Sequence, residues 1–288
     1  MLSLRAHAKL TLSVEVLGRR ADGYHEVVAV LQSVSLADTL TASPAAAVHV
    51  RCDTPGLSGP ANLAWQAADL LRREADLGFG ALLTIEKAIP IAAGLGGGSA
   101  DAAGALALLN RFWELDRPSE RLQSLAARLG SDVPFALRGG TALATGTGNE
   151  VESLSPLEET WFVLLTPPWQ LPEKTARLYA LLQRSQYSDG ARTHALASSL
   201  ARGEPLRPEL VGNAFDAVAE EAFPGIEGHR ALLRGLSGQV VHLAGAGPTM
   251  FVVAPTRDVA EAWAGSLAAQ GHEAYAVSTV DRGLVFFP

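Results

Sequence analysis

The chain contains 288 residues, of which 48% are apolar and 18% are charged. This composition excludes a disordered or fibrous chain and leaves enough apolar residues for one large domain or two ordinary ones. The net charge of −7 argues against a nucleic-acid partner, and the single cysteine, Cys52, excludes a disulfide framework and a multi-cysteine metal site. We therefore predict a globular protein of a reducing, cytoplasmic compartment.

No signal peptide or membrane segment is predicted. Charged and polar residues interrupt the apolar residues at the start of the chain. The longest stretch without Asp, Glu, Lys or Arg spans residues 235–256, but it contains Gln239, His242, Pro248 and several glycines. We interpret it as two short strands around a glycine turn.

The predicted elements of the first half begin with strands. Period-two alternation predicts a strand over residues 6–16, and a β-branched run after a polar turn predicts another over residues 25–36. Further strands are predicted at 39–42, 48–51 and 81–87. Apolar residues at helical spacing predict helices at 62–73, 99–112 and 119–129.

The second half mixes both kinds of element. Strands are predicted at 161–165, 240–243, 249–253, 274–278 and 284–287. Helices are predicted at 173–182, 192–201, 213–221, 225–233 and 259–270. The closing order of strand, strand, helix and strand is typical of an α+β sandwich. We therefore predict the α+β class, with two-layer sandwiches in domains spanning residues 1–153 and 154–288.

The strongest chemical signal is a glycine run, Gly94-Leu-Gly-Gly-Gly98, between a strand and a helix. Glycines let the backbone approach an anion, and the N-terminus of the helix supplies free N–H groups and a positive dipole. Ser99 is placed to cap this helix and to contact a phosphate. A turn that only packs helix on strand is the alternative, but three consecutive glycines cost backbone entropy and fill no core. We interpret the segment as a phosphate cradle.

Two other phosphate loops match less well. A Walker A loop requires a Lys after the last glycine, and Ser99 stands there instead. A dinucleotide fingerprint requires a glycine at the position of Ser99 and an acidic residue at the end of the next strand. A nicotinamide-dependent enzyme is therefore a disfavoured alternative.

Four weaker signals have ordinary structural explanations when each is taken alone. Lys9 could be one charge on a solvated strand face, and Asp132 could cap a short helix. The turn at 245–247 could simply close a hairpin. Tyr24 and His25 could form a hairpin tip, or could stack on and hydrogen-bond to a planar base. The other histidines lack the spacing of metal ligands, so no metal site is predicted.

The order of these segments resembles the GHMP kinase superfamily. They read AKLTL, GRRADGYHE, PIAAGLGGGSADAA, GSDVPF and LAGAGPTMFVV, and they run from residue 8 to residue 253. The glycine loop and the GAGP turn are typical of the superfamily. The GRRADGYH segment points to members whose small-molecule substrate carries a cytidine diphosphate group.

The resemblance implies a two-domain fold with the active site in the cleft between the domains. The phosphate loop would lie in the N-terminal domain and the GAGP turn in the C-terminal domain. The implied reaction is Mg²⁺-assisted phosphoryl transfer from ATP to an alcohol of isoprenoid biosynthesis.

The resemblance also implies roles for single residues. Asp132 matches the catalytic base, and Lys9 matches the lysine that would keep it ionised and neutralise the phosphoryl group. Tyr24 and His25 match a cytosine-reading pair, with Tyr179 on the other face of the base. The rest of the implied acceptor site is Thr11, Gly245 and Gly247. The implied ATP site is Asn62, Lys87, Pro90, Ala92, Ala93, Gly94, Leu95, Gly96, Gly97, Gly98 and Ser99.

Three positions depart from the family pattern. Thr11 stands where Asn is usual, Ala100 where a second Ser is frequent, and Ala214 inside the segment after Asn213. We expect one polar contact fewer at the acceptor site and one fewer at the phosphates or metal. The base and the cradle are retained.

Two further alternatives stay open. The chain could be another GHMP kinase that acts on homoserine, mevalonate or a sugar, although those substrates carry no base for Tyr24 and His25. It could also be a silent ligand-binding regulator of the same fold, although ligand binding alone does not require Lys9 and Asp132. The oligomeric state is not readable from the sequence.

Overall fold

The computed structural model describes residues 1–169 and 171–287, which contain an eight-stranded sheet and a four-stranded sheet. In chain order the strands are β1 (Leu2–Arg19), β2 (His25–Ala45), β3 (His49–Cys52), β4 (Gly80–Glu86), β5 (Thr141–Thr145), β6 (Glu150–Ser153), β7 (Trp161–Thr166), β8 (Gly212–Asn213), β9 (His242–Leu243), β10 (Met250–Ala254), β11 (Glu273–Ser278) and β12 (Leu284–Phe287).

The helices flank the two sheets. They are α1 (Leu63–Glu74), α2 (Gly97–Phe112), α3 (Ser119–Leu129), α4 (Val133–Arg138), α5 (Lys174–Leu181), α6 (Ala191–Ala201), α7 (Ala219–Ala222), α8 (Ile226–Ser237) and α9 (Arg257–Ala269). Helix α2 packs on β1 and β2 and also against α1, while α9 packs on β7 and β11. Within the described residues, no helix is both long enough and apolar enough to cross a membrane.

The first sheet is mostly antiparallel. Its strand order is β12-β1-β2-β4-β3, with β5 pairing β2 and β6, and with β8 pairing β1. Strands β3 and β4 are parallel, as are β1 and β8. The second sheet has the order β11-β7-β10-β9 and is antiparallel. Helices on antiparallel sheets confirm the predicted α+β class.

A bulge interrupts the long pairing of β1 with β2. His7 pairs with Ala37, whereas Lys9 pairs with Ser33, so β2 has two extra residues at this point. Bulges of this kind bend a strand and re-aim its side chains. The predicted break between two strands near residue 37 is therefore wrong, because β2 bulges there and continues.

The two halves of the chain share a core. Strand β7 is buried on both faces: Phe162 and Leu164 pack into the cluster under the first sheet, and Val163 and Leu165 pack into a second cluster. This alternation follows from the period-two geometry of a strand. Because both faces of β7 are packed, every residue from 161 to 165 is apolar, as the prediction of a buried strand required.

The division into domains at residues 153 and 154 stays a prediction. It coincides with the end of β6, but the chain returns to the first sheet afterwards. Strand β8 pairs in parallel with β1, and β12 pairs antiparallel with β1, both along the edge that β2 leaves open. The predicted strand at 284–287 is confirmed, but its placement with the C-terminal sandwich is wrong.

Other corrections concern short elements. Helix α4 and strands β5 and β6 were not predicted, because segments of four to six residues carry too little periodicity. The predicted helix at 213–221 is wrong. A 3₁₀ helix over Ala214–Val218 precedes the short α7, and the Asn213 side chain caps it by accepting from the Phe215 N–H.

Candidate functional site

A cavity of about 1280 Å³ lies between the glycine loop before α2 and the turn between β9 and β10. Ten of the residues predicted for ATP line it, namely Asn62, Lys87, Pro90, Ala92, Ala93, Gly94, Gly96, Gly97, Gly98 and Ser99. It is also lined by the predicted residues Lys9, Thr11, Tyr24, His25, Asp132, Tyr179 and Gly245. Leu95 is instead buried in the core.

The glycine loop needs glycines for two physical reasons. Gly94 and Gly96 have φ angles of 90° and 72°, a region that side chains disfavour. A Cβ on Gly94 would lie 2.1 Å from the carbonyl oxygen of Ala244. The loop therefore packs directly on the turn between β9 and β10, which we call the second glycine turn. A Cβ on Gly96 would lie 2.9 Å from Cγ of Lys9.

Helix α2 begins at Gly97, so the last glycines of the loop form its first turn. The first N–H groups of a helix have no partner inside it, so those of Gly97, Gly98 and Ser99 are free to bind an anion. The prediction that Ser99 caps α2 is wrong. The helix begins two residues earlier, and its N-cap is Gly96 in the left-handed region, without a side-chain cap.

Lys9 and Asp132 meet at one end of this loop. Nζ of Lys9 lies 3.4 Å from Oδ2 of Asp132 and donates to Oγ1 of Thr11 at 3.1 Å. Asp132 is the N-cap residue of α4, yet its side chain makes no capping hydrogen bond. Because its side chain is 39% exposed, the carboxylate is available to a molecule in the cavity. Capping alone therefore does not explain Asp132.

Lys87 lies below the loop and is held by two carboxylates. Its Nζ donates to Asp38 at 2.5 Å and to Asp101 at 2.7 Å, and its side chain is only 8% exposed. Asp38 also accepts from the backbone N–H groups of Ala88 and Ile89. The cluster of Asp38, Lys87 and Asp101 thus fixes the segment that leads into the loop. Contact between Lys87 and a nucleotide stays a prediction.

Burial and mutual charge shift the pKa values of Asp101 and Lys87 in this cluster. Burial raises the pKa of Asp101 to about 7, against the opposing effect of the Lys87 ammonium. The two carboxylates outweigh burial at Lys87 and raise its pKa. Oδ1 of Asp101 is buried and accepts no hydrogen bond from the described residues.

Asn62 has a structural role at the same cavity. It is the N-cap of α1, where its Oδ1 accepts from the Ala64 N–H at 2.8 Å. Its Nδ2 donates to the Leu57 carbonyl at 2.7 Å. These bonds hold the edge of the cavity, and contact between Asn62 and ATP stays a prediction.

Aromatic residues surround the other end of the cavity. The His25 ring stacks on Tyr179, with centroids 4.7 Å apart and planes 16° apart. Tyr187 meets His25 edge-on, and its hydroxyl lies 3.3 Å from His25 Nε2. Tyr24 lines the cavity and is 65% exposed. Rings around an open space form a site for a planar group.

Both ring systems are neutral near pH 7. Burial, together with Arg19, lowers the pKa of His25, so its imidazole offers one donor and one acceptor. Burial and the nearby Asp132 raise the pKa of Tyr179 to about 12. A neutral, partly polar aromatic pocket suits an uncharged heterocycle.

Sequence reasoning missed Tyr187, Lys174 and the partners of Lys87. The chain has four tyrosines, and Tyr24, Tyr179 and Tyr187 all line the cavity. The small number of tyrosines was a signal that could have pointed to Tyr187. Asp38 and Asp101 gave none, because no spacing rule links residues that only the packing of α2 on β2 brings together.

The second glycine turn is held from below by Asn213. Its Nδ2 donates to the carbonyls of Leu243 and Gly245 at 2.9 and 2.8 Å. Gly247, which was predicted for the acceptor site, is buried and is not among the residues that line the cavity. Its backbone packs against Gly94, and the Thr249 N–H donates to the Ala93 carbonyl at 3.2 Å. In the described part of the chain, no three acidic, His or Cys side chains cluster as metal ligands.

Comparison with known proteins assigns the family. The profile of the GHMP kinases N terminal domain matches residues 62–140. A 4-diphosphocytidyl-2-C-methyl-D-erythritol kinase of Dehalococcoides mccartyi is 41% identical over 281 residues, which cover 97% of this chain and 99% of that protein. One from Gloeobacter violaceus is 39% identical, with coverage of 98% and 95%.

A solved structure agrees. The crystal structure of a 4-(cytidine 5′-diphospho)-2C-methyl-D-erythritol kinase superposes with a TM-score of 0.82 at 33% identity, covering 96% of this chain and 98% of that one. The chain belongs to the 4-diphosphocytidyl-2-C-methyl-D-erythritol kinase family of the GHMP kinases.

Proposed function

We propose that this protein transfers the γ-phosphoryl group of ATP to the 2-hydroxyl of 4-(cytidine 5′-diphospho)-2-C-methyl-D-erythritol, in the non-mevalonate route to isopentenyl diphosphate. One observation carries the proposal. A single cavity joins a backbone anion cradle and the Lys9–Asp132 pair to a pocket of aromatic rings. A nucleoside diphosphate handle matches the second part, and a phosphoryl donor matches the first.

The base of the acceptor would bind among the aromatic side chains. The neutral His25 imidazole would hydrogen-bond to its edge, and Tyr24 and Tyr179 would contact its faces. Binding energy gained there, away from the reacting hydroxyl, would hold that hydroxyl in place. Homoserine, mevalonate and galactose lack a base that could use this part of the cavity.

The donor would bind with its phosphates on the glycine loop. The free N–H groups of Gly97, Gly98 and Ser99 would face the phosphate oxygens, as at other helix N-termini. The glycines of the loop support this placement. A Cβ at Gly94 would collide with the turn between β9 and β10, and a Cβ at Gly96 would collide with Lys9.

Asp132 would act as the general base. Its carboxylate would take the proton of the 2-hydroxyl while that oxygen bonds to the γ-phosphorus and the bond to the β-phosphate oxygen breaks, releasing ADP. Lys9 at 3.4 Å would hold the Asp132 carboxylate in place and neutralise charge on the transferred group.

Mg²⁺ would bind chiefly through the ATP phosphates and water, because magnesium sites in such enzymes use few protein ligands. Ser99 offers a hydroxyl oxygen beside the cradle. The ion would supply charge neutralisation at the phosphates.

The proposal is tested by ADP release from purified protein with ATP, Mg²⁺ and each of four acceptors. The acceptors are the cytidyl substrate, homoserine, mevalonate and galactose. Turnover with the cytidyl substrate alone is expected. Turnover with another acceptor would overturn the assignment of the aromatic pocket. ATP binding without any turnover would favour a ligand-binding regulator.

A further inference from the structure

The distribution of lysine in this chain is unusual. Of its 23 basic residues, Lys9, Lys87 and Lys174 are the lysines, and the others are arginines. All three lysines line the central cavity. Lys9 pairs with Asp132, and Lys87 is neutralised by Asp38 and Asp101. Lys174 has no role in the proposed reaction so far.

Lys174 joins the two glycine segments. Its Nζ donates to the carbonyl of Ala92, in the phosphate loop, at 2.5 Å, and it also donates to the carbonyl of Gly247 in the second turn. These carbonyls come from residues 155 positions apart in the chain, which is the difference between 247 and 92. Among the described residues, no carboxylate lies within ion-pair distance of Lys174, so the two carbonyl dipoles are its main polar partners.

Two residues at this bridge have an uncommon backbone conformation. Ala92 has φ 54°, and Glu173, the residue before Lys174, has φ 48°. Left-handed non-glycine residues persist only where the surroundings hold them, and they concentrate at functional sites. The bond from Lys174 to the Ala92 carbonyl is one contact that holds Ala92 in this conformation.

The direction of these carbonyls matters for anion binding. A cradle accepts phosphate when its N–H groups face the ligand, and a carbonyl oxygen turned inward would repel it. A cation bound to the Ala92 and Gly247 carbonyls fixes the direction of both and neutralises their negative ends. Burial and the nearby Lys9 ammonium lower the pKa of Lys174 to about 8, so this position holds the cation at an electrostatic cost.

We propose that Lys174 is a positioning residue that ties the phosphate loop to the second glycine turn and so holds the loop in its ATP-binding form. This inference rests on the proposed function, and it concerns how the same site is organised. Lys174 would act through the loop amides and would not need to touch the reacting atoms.

The test compares Lys174→Met, Lys174→Arg and a matched control, Arg177→Met, an exposed residue one turn along α5. ATP affinity is measured by calorimetry without acceptor, and kcat and KM are measured with the cytidyl substrate. Because hydrogen bonds from charged groups contribute substantially, we expect Lys174→Met to weaken ATP binding about tenfold or more. Lys174→Arg is expected to retain most of the affinity, since a guanidinium can donate to both carbonyls.

A second measurement distinguishes loss of the Lys174 contacts from a general loss of stability. Amide hydrogen exchange of residues 92–98 is expected to quicken in Lys174→Met, while that of α1 stays as in the wild type. If Lys174→Met does not fold, Lys174→Gln, which keeps a neutral donor, is measured with the same two readouts.

The outcomes are distinct. Normal ATP affinity and normal loop exchange in the neutral variant, beside an active wild type, would overturn this inference alone. A change confined to the KM of the acceptor would also overturn it, because Lys174 would then contact the acceptor. A wild type that does not use ATP would overturn the proposed function and this inference with it.

Discussion

The two ends of the cavity are built from different materials. The phosphate end is made of backbone amides, left-handed glycines and ion pairs beneath them. The base end is made of side-chain rings contributed by segments more than 150 residues apart, with Tyr24 largely exposed. Backbone donors are preorganised by the fold, whereas exposed rings are ordered by the ligand. We therefore expect changes at the phosphate end to alter catalysis and folding, and changes at the base end to alter acceptor affinity alone.

The largest effect is expected for Asp132→Asn. The amide keeps the shape of the side chain but cannot accept the hydroxyl proton, so kcat should fall by roughly 10²–10⁴. ATP affinity should stay within about twofold, because the cradle donors are backbone amides. Single-turnover kinetics and calorimetry on the same preparation measure both quantities. Full turnover in this variant would remove Asp132 as the base.

Gly94→Ala tests the claim that the phosphate end is fixed by its backbone. The new Cβ would lie 2.1 Å from the Ala244 carbonyl oxygen at a φ of 90°, so the loop or the second turn must move. Strain of this kind costs roughly 1–3 kcal/mol, and the collision adds to it. Urea unfolding measures the loss.

The matched control is Gly98→Ala, where a Cβ meets nothing within 4 Å and the backbone is helical. It should be neutral or stabilise α2 by roughly 0.5–1 kcal/mol. Equal destabilisation by both substitutions would contradict the packed contact between the two glycine segments.

Sequence patterns identified the phosphate end better than the base end. The glycine run is a residue pattern that anion binding favours, and Lys9 and Asp132 stand in segments that match the family pattern. The structure places all of them around one cavity. The rings of Tyr179 and Tyr187 come from a segment with no such constraint. Their position depends on the docking of α5 and the chain after it against β2, which no local pattern encodes.

The same reasoning explains the role given to Lys87. The family resemblance assigned Lys87 to the nucleotide, and the structure adds that β2 brings Asp38, and α2 brings Asp101, to its ammonium group. Long-range packing thus gives Lys87 a place in a buried ion cluster that no local pattern showed, and its contact with a nucleotide stays a prediction. Local patterns also could not show that β12 returns to β1, because pairing of the chain ends is non-local.

Tyr24→Ala sharpens the comparison from the base end. Loss of one stacked ring should weaken binding of the cytidyl substrate by roughly 1–3 kcal/mol, which is about 5- to 150-fold in affinity. The KM for ATP and the free energy of unfolding should change little, since the ring is mostly exposed. Phe79→Ala, which removes another exposed ring outside this cavity, is the control. A matching rise in the KM for ATP would mean that the two ends are not separable.

The last prediction concerns the ion cluster under the phosphate loop, and its effect appears only in the pH dependence of stability. The pKa of Asp101 is raised from 3.8 to about 7 in the folded protein, mainly by burial. Between these values the folded state binds more protons than the unfolded state, so this group makes the free energy of unfolding fall as pH rises. The amide that Asp101→Asn introduces cannot titrate. The stability of this variant minus that of the wild type should therefore rise from about pH 4 to about pH 7 and then level off.

Urea unfolding of both proteins at about pH 5, 6, 7 and 8 measures this difference, with the exposed Asp258→Asn as the control for loss of a carboxylate. A difference that stays constant across this range would mean that Lys87 keeps Asp101 ionised throughout, and the phosphate end would then rest on a fully charged cluster.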